Sequence, residues 1–174
     1  MSEKTHATAA APALKPIKIV EPSLLLEPVN RIREAIERRA HELFEGKGGF
    51  FNDDLNDWFK AEAELLFPVP IDLAETDTAL TVTANVPGFE AHDLAISVEP
   101  RRLTITGKRE SEKEEKRKGK TICTEHRADQ ILRILDLPAE VDFAKTTATL
   151  KNGILNLTMP KINATKKQIA VKAP

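Results

Sequence analysis

The sequence has a single cysteine, Cys123, and no tyrosine. One cysteine closes no internal disulfide, which excludes the stapled scaffolds of secreted proteins. Cys123 itself reads as a small strand residue rather than a redox sensor. Aromatic residues make up only 5% of the 174 positions. No stretch approaches the ~20 apolar residues of a membrane-spanning helix. The longest apolar run near the N-terminus, Leu24 to Leu26, is too short for the core of a signal peptide. Neither sign of charge is in excess: 26 Lys and Arg stand against 27 Asp and Glu, a formal net charge of -1. That balance excludes a globally basic nucleic-acid binder, though not a local basic patch. These absences point to a cytoplasmic protein with no membrane span and no nucleic-acid partner.

What is present divides into four parts. Residues 1–27 carry Pro12, Pro16 and Pro22, with Pro28 just beyond. Proline at that density opposes both helix and ladder pairing, so the segment reads as a flexible arm rich in Pro and Ala. Over 28–66 the pattern turns helical. Val29, Ile32, Ile36, Ala40 and Leu43 recur at helical spacing, Pro28 suits a first helical position, and Gly46 suits a stop. After a glycine-rich turn, a second helical pattern runs from about Asp53 to Leu66, with Asn52 or Asp53 as cap and Pro68 as terminator. The expected unit is a helical hairpin. Six of the eight aromatics fall in or beside it: Phe44, Phe50, Phe51, Trp58, Phe59 and Phe67.

Over 67–160 the apolar period becomes two. Leu80, Val82, Ala84 and Val86 alternate with polar residues, as do Leu94, Ile96 and Val98. Leu103 and Ile105 follow, then Ile131, Arg133, Leu135 and Leu137, then Ala148 and Leu150, then Leu155, Leu157 and Met159. Pro87-Gly88, Pro100, Gly107, Pro138 and Asn152-Gly153 punctuate them. Short alternating strands with turn signals between them predict a mainly β protein, a sandwich or barrel. Asn152-Gly153 is the strongest local hairpin signal, because both central residues of that tight turn need positive φ. One stretch interrupts the pattern: Arg109 to Lys120 holds no apolar residue and reads as a solvated loop or a charged helix, not a core strand. Residues 161–174 form a polar extension with one apolar pair, Ile169 and Val171.

No catalytic constellation is found, and the protein is not read as an enzyme. Gly119-Lys120-Thr121 resembles the end of a phosphate loop, but the required glycine five residues earlier is Glu114. His6, His41, His92 and His126 share no metal-ligand spacing with Cys123. Ser2, Ser23, Ser97 and Ser111 lack the glycine elbow of a nucleophile. Asn156-Leu157-Thr158 and Asn163-Ala164-Thr165 match the glycosylation pattern, which is inert without a secretory signal. No cofactor and no metal are expected. A sheet domain with apolar-tipped ends suggests binding through surfaces and strand edges.

Several ordered motifs carry a family resemblance. Val86-Pro87-Gly88-Phe89, Leu94-Ala95-Ile96-Ser97-Val98 and Leu103 to Arg109 resemble the small heat shock protein (α-crystallin) family. Ala148-Thr149-Leu150-Lys151-Asn152-Gly153-Ile154-Leu155 resembles its signature, and Thr158-Met159-Pro160-Lys161 resembles the family's domain end. Ile131 to Pro138 is similar to the family strand that carries a buried or interfacial arginine, which falls at Arg133. Ile169-Ala170-Val171 is similar to its C-terminal Ile-x-Ile/Val anchor. Glu99-Pro100-Arg101-Arg102 departs from the family's usual Gly or Asp turn, and Val171 replaces the commoner second isoleucine. Residues 32–66 separately resemble a short bacterial helical domain of unknown function.

The resemblance implies an immunoglobulin-like β-sandwich, the α-crystallin domain, that dimerises by strand exchange and assembles further. It implies an ATP-independent holdase chaperone of the stress response, whose partners are itself, as dimer and larger homo-oligomer, and unfolding client proteins. Arg133 and the segment Thr121, Ile122, Cys123 and Thr124 would lie at the dimer interface. Ile169 and Val171 would dock in a neighbour's groove lined by Leu94, Ile96, Leu150 and Leu155. The aromatic cluster has two readings, a surface for clients or the core of the hairpin. A different reading of the whole is a sandwich-type co-chaperone or adaptor that binds one folded partner.

Overall fold

The computed structural model describes residues 15–48 and 54–163, with the side chains of 15, 16, 113–116 and 122–127 left undescribed. The elements are β1 (Lys15–Pro16), α1 (Pro22–Gly46), α2 (Asp54–Leu65), β2 (Ile71–Glu75), β3 (Ala79–Asn85), β4 (Leu94–Glu99), β5 (Arg102–Arg117), β6 (Lys120–Asp136), β7 (Thr147–Lys151) and β8 (Ile154–Pro160). A five-stranded sheet in the order β1-β7-β8-β3-β2 faces a three-stranded sheet in the order β4-β5-β6. All of their ladders are antiparallel.

Alternation explains the layering. In β3, Leu80, Val82 and Ala84 are fully buried while Thr81 and Thr83 are only half-buried; in β8, Leu155, Leu157 and Met159 are buried while Asn156 and Thr158 are exposed. From the facing sheet Ile96, Leu103, Ile105 and Ile131 close the same core. Successive strand side chains point to opposite faces, so one apolar set fills the space between the sheets. The turn between β7 and β8 is the one its sequence predicts, with Asn152 at φ 51° and Gly153 at φ 74°.

The helical hairpin has its own small core of Ile32, Ile36 and Ala61, against which Trp58, Leu66 and Leu132 of β6 pack. On its apolar stripe Leu25 is buried too. Pro22, Leu25 and Val29 share a cleft with Ser97, Thr104 and Ile134 on the outer face of the three-stranded sheet. Ser97 and Thr104, directly opposite in register, are both buried; their small side chains leave room for the helix to approach. Asp57 is buried and ion-paired with Lys47, which ties the start of α2 to the end of α1. On the exposed side Arg39 donates to Glu64 at 2.6 Å and to Glu42 at 2.9 Å, and these carboxylates, Glu64 first, hold its guanidinium proton more tightly than usual.

Four sequence expectations change. Residues 15–27 are not a free arm: β1 pairs with β7, and α1 starts at Pro22, six residues before the expected Pro28. The prolines are tolerated for separate reasons. Pro16 lies in an edge strand, Pro22 occupies the first turn where its missing N–H has no helical partner to lose, and Pro28 sits one turn further on, where the Leu24 carbonyl it cannot reach belongs to an exposed residue. Asn52 and Asp53, the expected caps of α2, lie outside the described residues.

The charged run is neither loop nor helix. Arg109 to Arg117 continues β5, paired with β6 through Arg117↔Lys120, with an irregularity between Glu115 and Lys116. The ribbon turns at Lys118 and Gly119, both at positive φ (52° and 75°). Lys108, Glu110 and Glu112 are exposed, so this ribbon leaves the sandwich. A strand built of polar residues alone has no apolar period to read. Gly107, expected as a turn, instead lies inside β5 opposite Leu94, where an added Cβ would sit 2.8 Å from a Leu94 methyl. Glycine is there for close packing.

Candidate functional site: the groove between two sheet edges

Strand β4 is an edge of the three-stranded sheet, β7 carries only the two-residue β1 on its outer side, and a groove runs between β4 and β7. Of the residues expected to line it, Leu94 and Ile96 lie on β4 and Leu150 on β7, all buried. Leu155, on β8, is fully buried in the central core.

The groove is occupied. Lys15 and Pro16 stand in register with Leu150 and Thr149. The Ile17 N–H donates to the Ala148 carbonyl at 3.2 Å. Two residues on, Ile19 bridges in parallel to Ile96, and the Val20 N–H donates to the Ile96 carbonyl at 2.8 Å. The segment thus hydrogen-bonds first to one sheet and then to the other. Ile17 is 6% exposed and belongs to the sandwich core, and Ile19 packs against that core, half-buried. Sequence reading missed this segment because its prolines outweighed one pair of isoleucines at i,i+2.

The filled groove opens into an apolar cleft of about 1040 Å³, lined by Ile17, Ile19, Val98, Phe143 and Ala148 among others. Phe143, in a short 3-10 turn before β7, is 61% exposed and was not singled out from sequence.

The aromatic cluster is split rather than brought together. Trp58 is part of the hairpin core, Phe44 is half-buried, and Phe59 points outward at 57% exposure. Phe67 leaves the hairpin altogether: its ring meets Phe89 edge-on at 5.7 Å, against the sandwich core. Phe50 and Phe51 lie outside the described residues, as do Ile169 and Val171.

Arg133 lies on β6, an edge strand, and is exposed; among the described residues it forms no ion pair. It shares a polar cleft with Arg33, Trp58, Glu62 and Arg102 beside the hairpin. The buried arginine pair lies elsewhere. Arg109 donates to Asp129, 7% exposed, at 2.5 Å, across the β5–β6 ladder, and its guanidinium lies over the Phe89 ring. Thr121 to Thr124 pair with Glu114 to Lys116 of the same chain. The outer edge of β2, by contrast, has no partner strand among the described residues, and its Leu73 is 41% exposed. No group of three or more potential metal ligands occurs among the described residues, and no described helix is long and apolar enough to cross a membrane.

Comparison with known proteins agrees with this architecture. Residues 72–172 match the Hsp20/alpha crystallin family, and residues 31–66 match a family described as protein of unknown function (DUF2934). Heat shock protein 16 of Schizosaccharomyces pombe is 31% identical over 130 residues, which cover 70% of this chain and 91% of that protein. The 17.8 kDa class I heat shock protein of Arabidopsis thaliana is 31% identical over 153 residues, 78% of this chain and 90% of that one. Among solved structures, heat shock protein 16.0 from Schizosaccharomyces pombe aligns at a TM-score of 0.46 and 32% identity, over 61% of this chain and 99% of the other. With more than half of its length matched to that model, the chain belongs to the Hsp20/alpha crystallin family of small heat shock proteins, whose role is that of a chaperone and not of an enzyme.

Proposed function

We propose that this protein is an ATP-independent holdase that assembles from strand-exchanged dimers into larger homo-oligomers and keeps partly unfolded cytoplasmic clients soluble. The observation that carries the reading is the β4–β7 groove, which accepts an extended segment with isoleucines at i,i+2. Ile169 and Val171 repeat that spacing in the C-terminal extension. Burying two such side chains stabilises by ~3–6 kcal/mol before ordering costs, and ordering the tail at ~1–2 kcal/mol per residue offsets much of it. Each joint is therefore weak and exchangeable, and many joints hold one particle by avidity.

Two further features support the reading. The open edge of β2 offers a place for Thr121 to Thr124 of a second copy, and covering it would remove an edge that otherwise invites aggregation. The exposed Phe59 and Phe143 offer apolar contact to a client without any chemistry. The test is aggregation of a heat-labile enzyme without ATP, run beside native mass measurement. The expected result is suppressed light scattering by a large particle, reduced to dimers in the Ile169→Ser/Val171→Ser variant. A monomer that leaves the test enzyme to precipitate as it does in buffer overturns the reading.

A further inference from the structure

In the structure the groove is held by the chain's own N-terminal segment, and that segment cannot move independently. Val20 is followed at once by Glu21 and by Pro22, the first residue of α1. Leu25, one turn into the helix, is already buried near Ser97. Ile17 and Ile19 are thus tied to the helical hairpin with almost no slack. A tether that short presents its ends at an effective concentration on the order of millimolar or more. A tail from a second, unassembled copy meets the groove only at the concentration of the protein itself.

The hairpin that holds the segment is the weaker of the two packed units. Its own core consists of Ile32, Ile36 and Ala61, whereas the sandwich core runs through six of the eight strands and their connections. Units with few buried apolar contacts open first and at the lowest free energy. Lifting α1 would pull Ile19 from Ile96 and Ile17 from Ala148 and leave the backbone donors and acceptors of β4 and β7 free.

We propose that Ile17-Lys18-Ile19 is a resident plug of the β4–β7 groove, latched by the helical hairpin, and that Ile169-Ala170-Val171 of a second copy takes the same groove when the hairpin lifts. The proposal rests on the anchor reading above and adds a gate to it. Plug and tail share the i,i+2 pair of β-branched side chains, which the groove reads on one face of an extended segment. Heating, which opens the hairpin before the sandwich, then both exposes the hairpin's apolar stripe and lets the tails exchange.

The probe is a fluorescent synthetic peptide copying residues 163–174. Three full-length recipients all carry Ile169→Ser/Val171→Ser, so that their own tails do not compete. The first keeps the native plug, the second adds Ile17→Ser/Ile19→Ser, and the third adds Val20→Pro. The last substitution deletes the N–H that donates to Ile96 yet leaves both isoleucines in place, and it decides the matter if emptying the core unfolds the second recipient. Peptide binding is expected to be weak in the first recipient and about tenfold tighter in the plug variants. Equal affinity in all recipients overturns the plug and leaves the anchor reading standing. Absence of binding in every folded recipient overturns the anchor reading, and with it the tail as the plug's rival.

Discussion

The guanidinium carbon of Arg109 lies 5.1 Å from the centre of the Phe89 ring, stacked where Gly88 leaves space for it. Gly88 has φ +80°, and a Cβ added there would fall 1.8 Å from an Arg109 nitrogen. The same guanidinium meets the buried Asp129. Three distant parts of the chain are joined at the base of the projecting ribbon by one side chain. Arg109→Ala removes a charged partner of a buried carboxylate, and urea denaturation is expected to show a loss of about 2–3 kcal/mol. Gly88→Ala alone is expected to cost about 1–2 kcal/mol through backbone strain and crowding. Combined with Arg109→Ala it should cost less than the sum, because the crowding partner is gone; strict additivity would contradict this packing.

Leu155 tests the division between groove and core. It is fully buried in β8, whereas Leu150, on β7, stands in register with Lys15, two residues before the plug. Leu155→Ala is expected to lower stability by about 2–5 kcal/mol, as large-to-small changes in a packed interior do. Peptide affinity for the groove should fall only through that loss of fold. A variant with native melting and selectively weakened peptide binding would return Leu155 to the groove wall.

Phe59 and Trp58 are sequence neighbours with opposite surroundings, one exposed and one in the hairpin core. Phe59→Ser is expected to leave the melting temperature within about a degree or two, since exposed substitutions change stability by roughly 0.5 kcal/mol or less. Its suppression of client aggregation should drop. Unchanged suppression would remove Phe59 from the client surface.

Arg133 stands on an open edge beside Arg33 and Arg102 and forms no ion pair among the described residues. If a second copy supplies that carboxylate, Arg133→Gly should change the particle mass seen by light scattering. A particle of unaltered size would place Arg133 outside the interface.

The strands of the sandwich were legible because burial on one face leaves a period of two, from Leu80 through Met159. The Asn152-Gly153 turn was legible because its backbone demands those residue types. The ribbon from Arg109 to Lys120 was not, because it holds no apolar residue to set a period; its one local clue was Lys118-Gly119, placed where a two-residue turn needs positive φ. The plug was hidden by its prolines, which restrict the chain but do not bar an edge strand or a first helical turn. Arg133 was legible as a position in a motif, whereas the Arg109–Asp129–Phe89 contact joins residues far apart in sequence and has no local pattern.

Because β6 runs unbroken from Lys120 at the ribbon's tip to Asp136 in the sandwich, the ribbon is mechanically a lever. A two-stranded ribbon has little cohesion of its own, and among the described residues the first apolar core side chain on that strand is Ile131. Whatever grips the tip therefore tugs directly on the floor of the domain, and a neighbouring subunit that holds it gains leverage on its partner's fold as well as a seam.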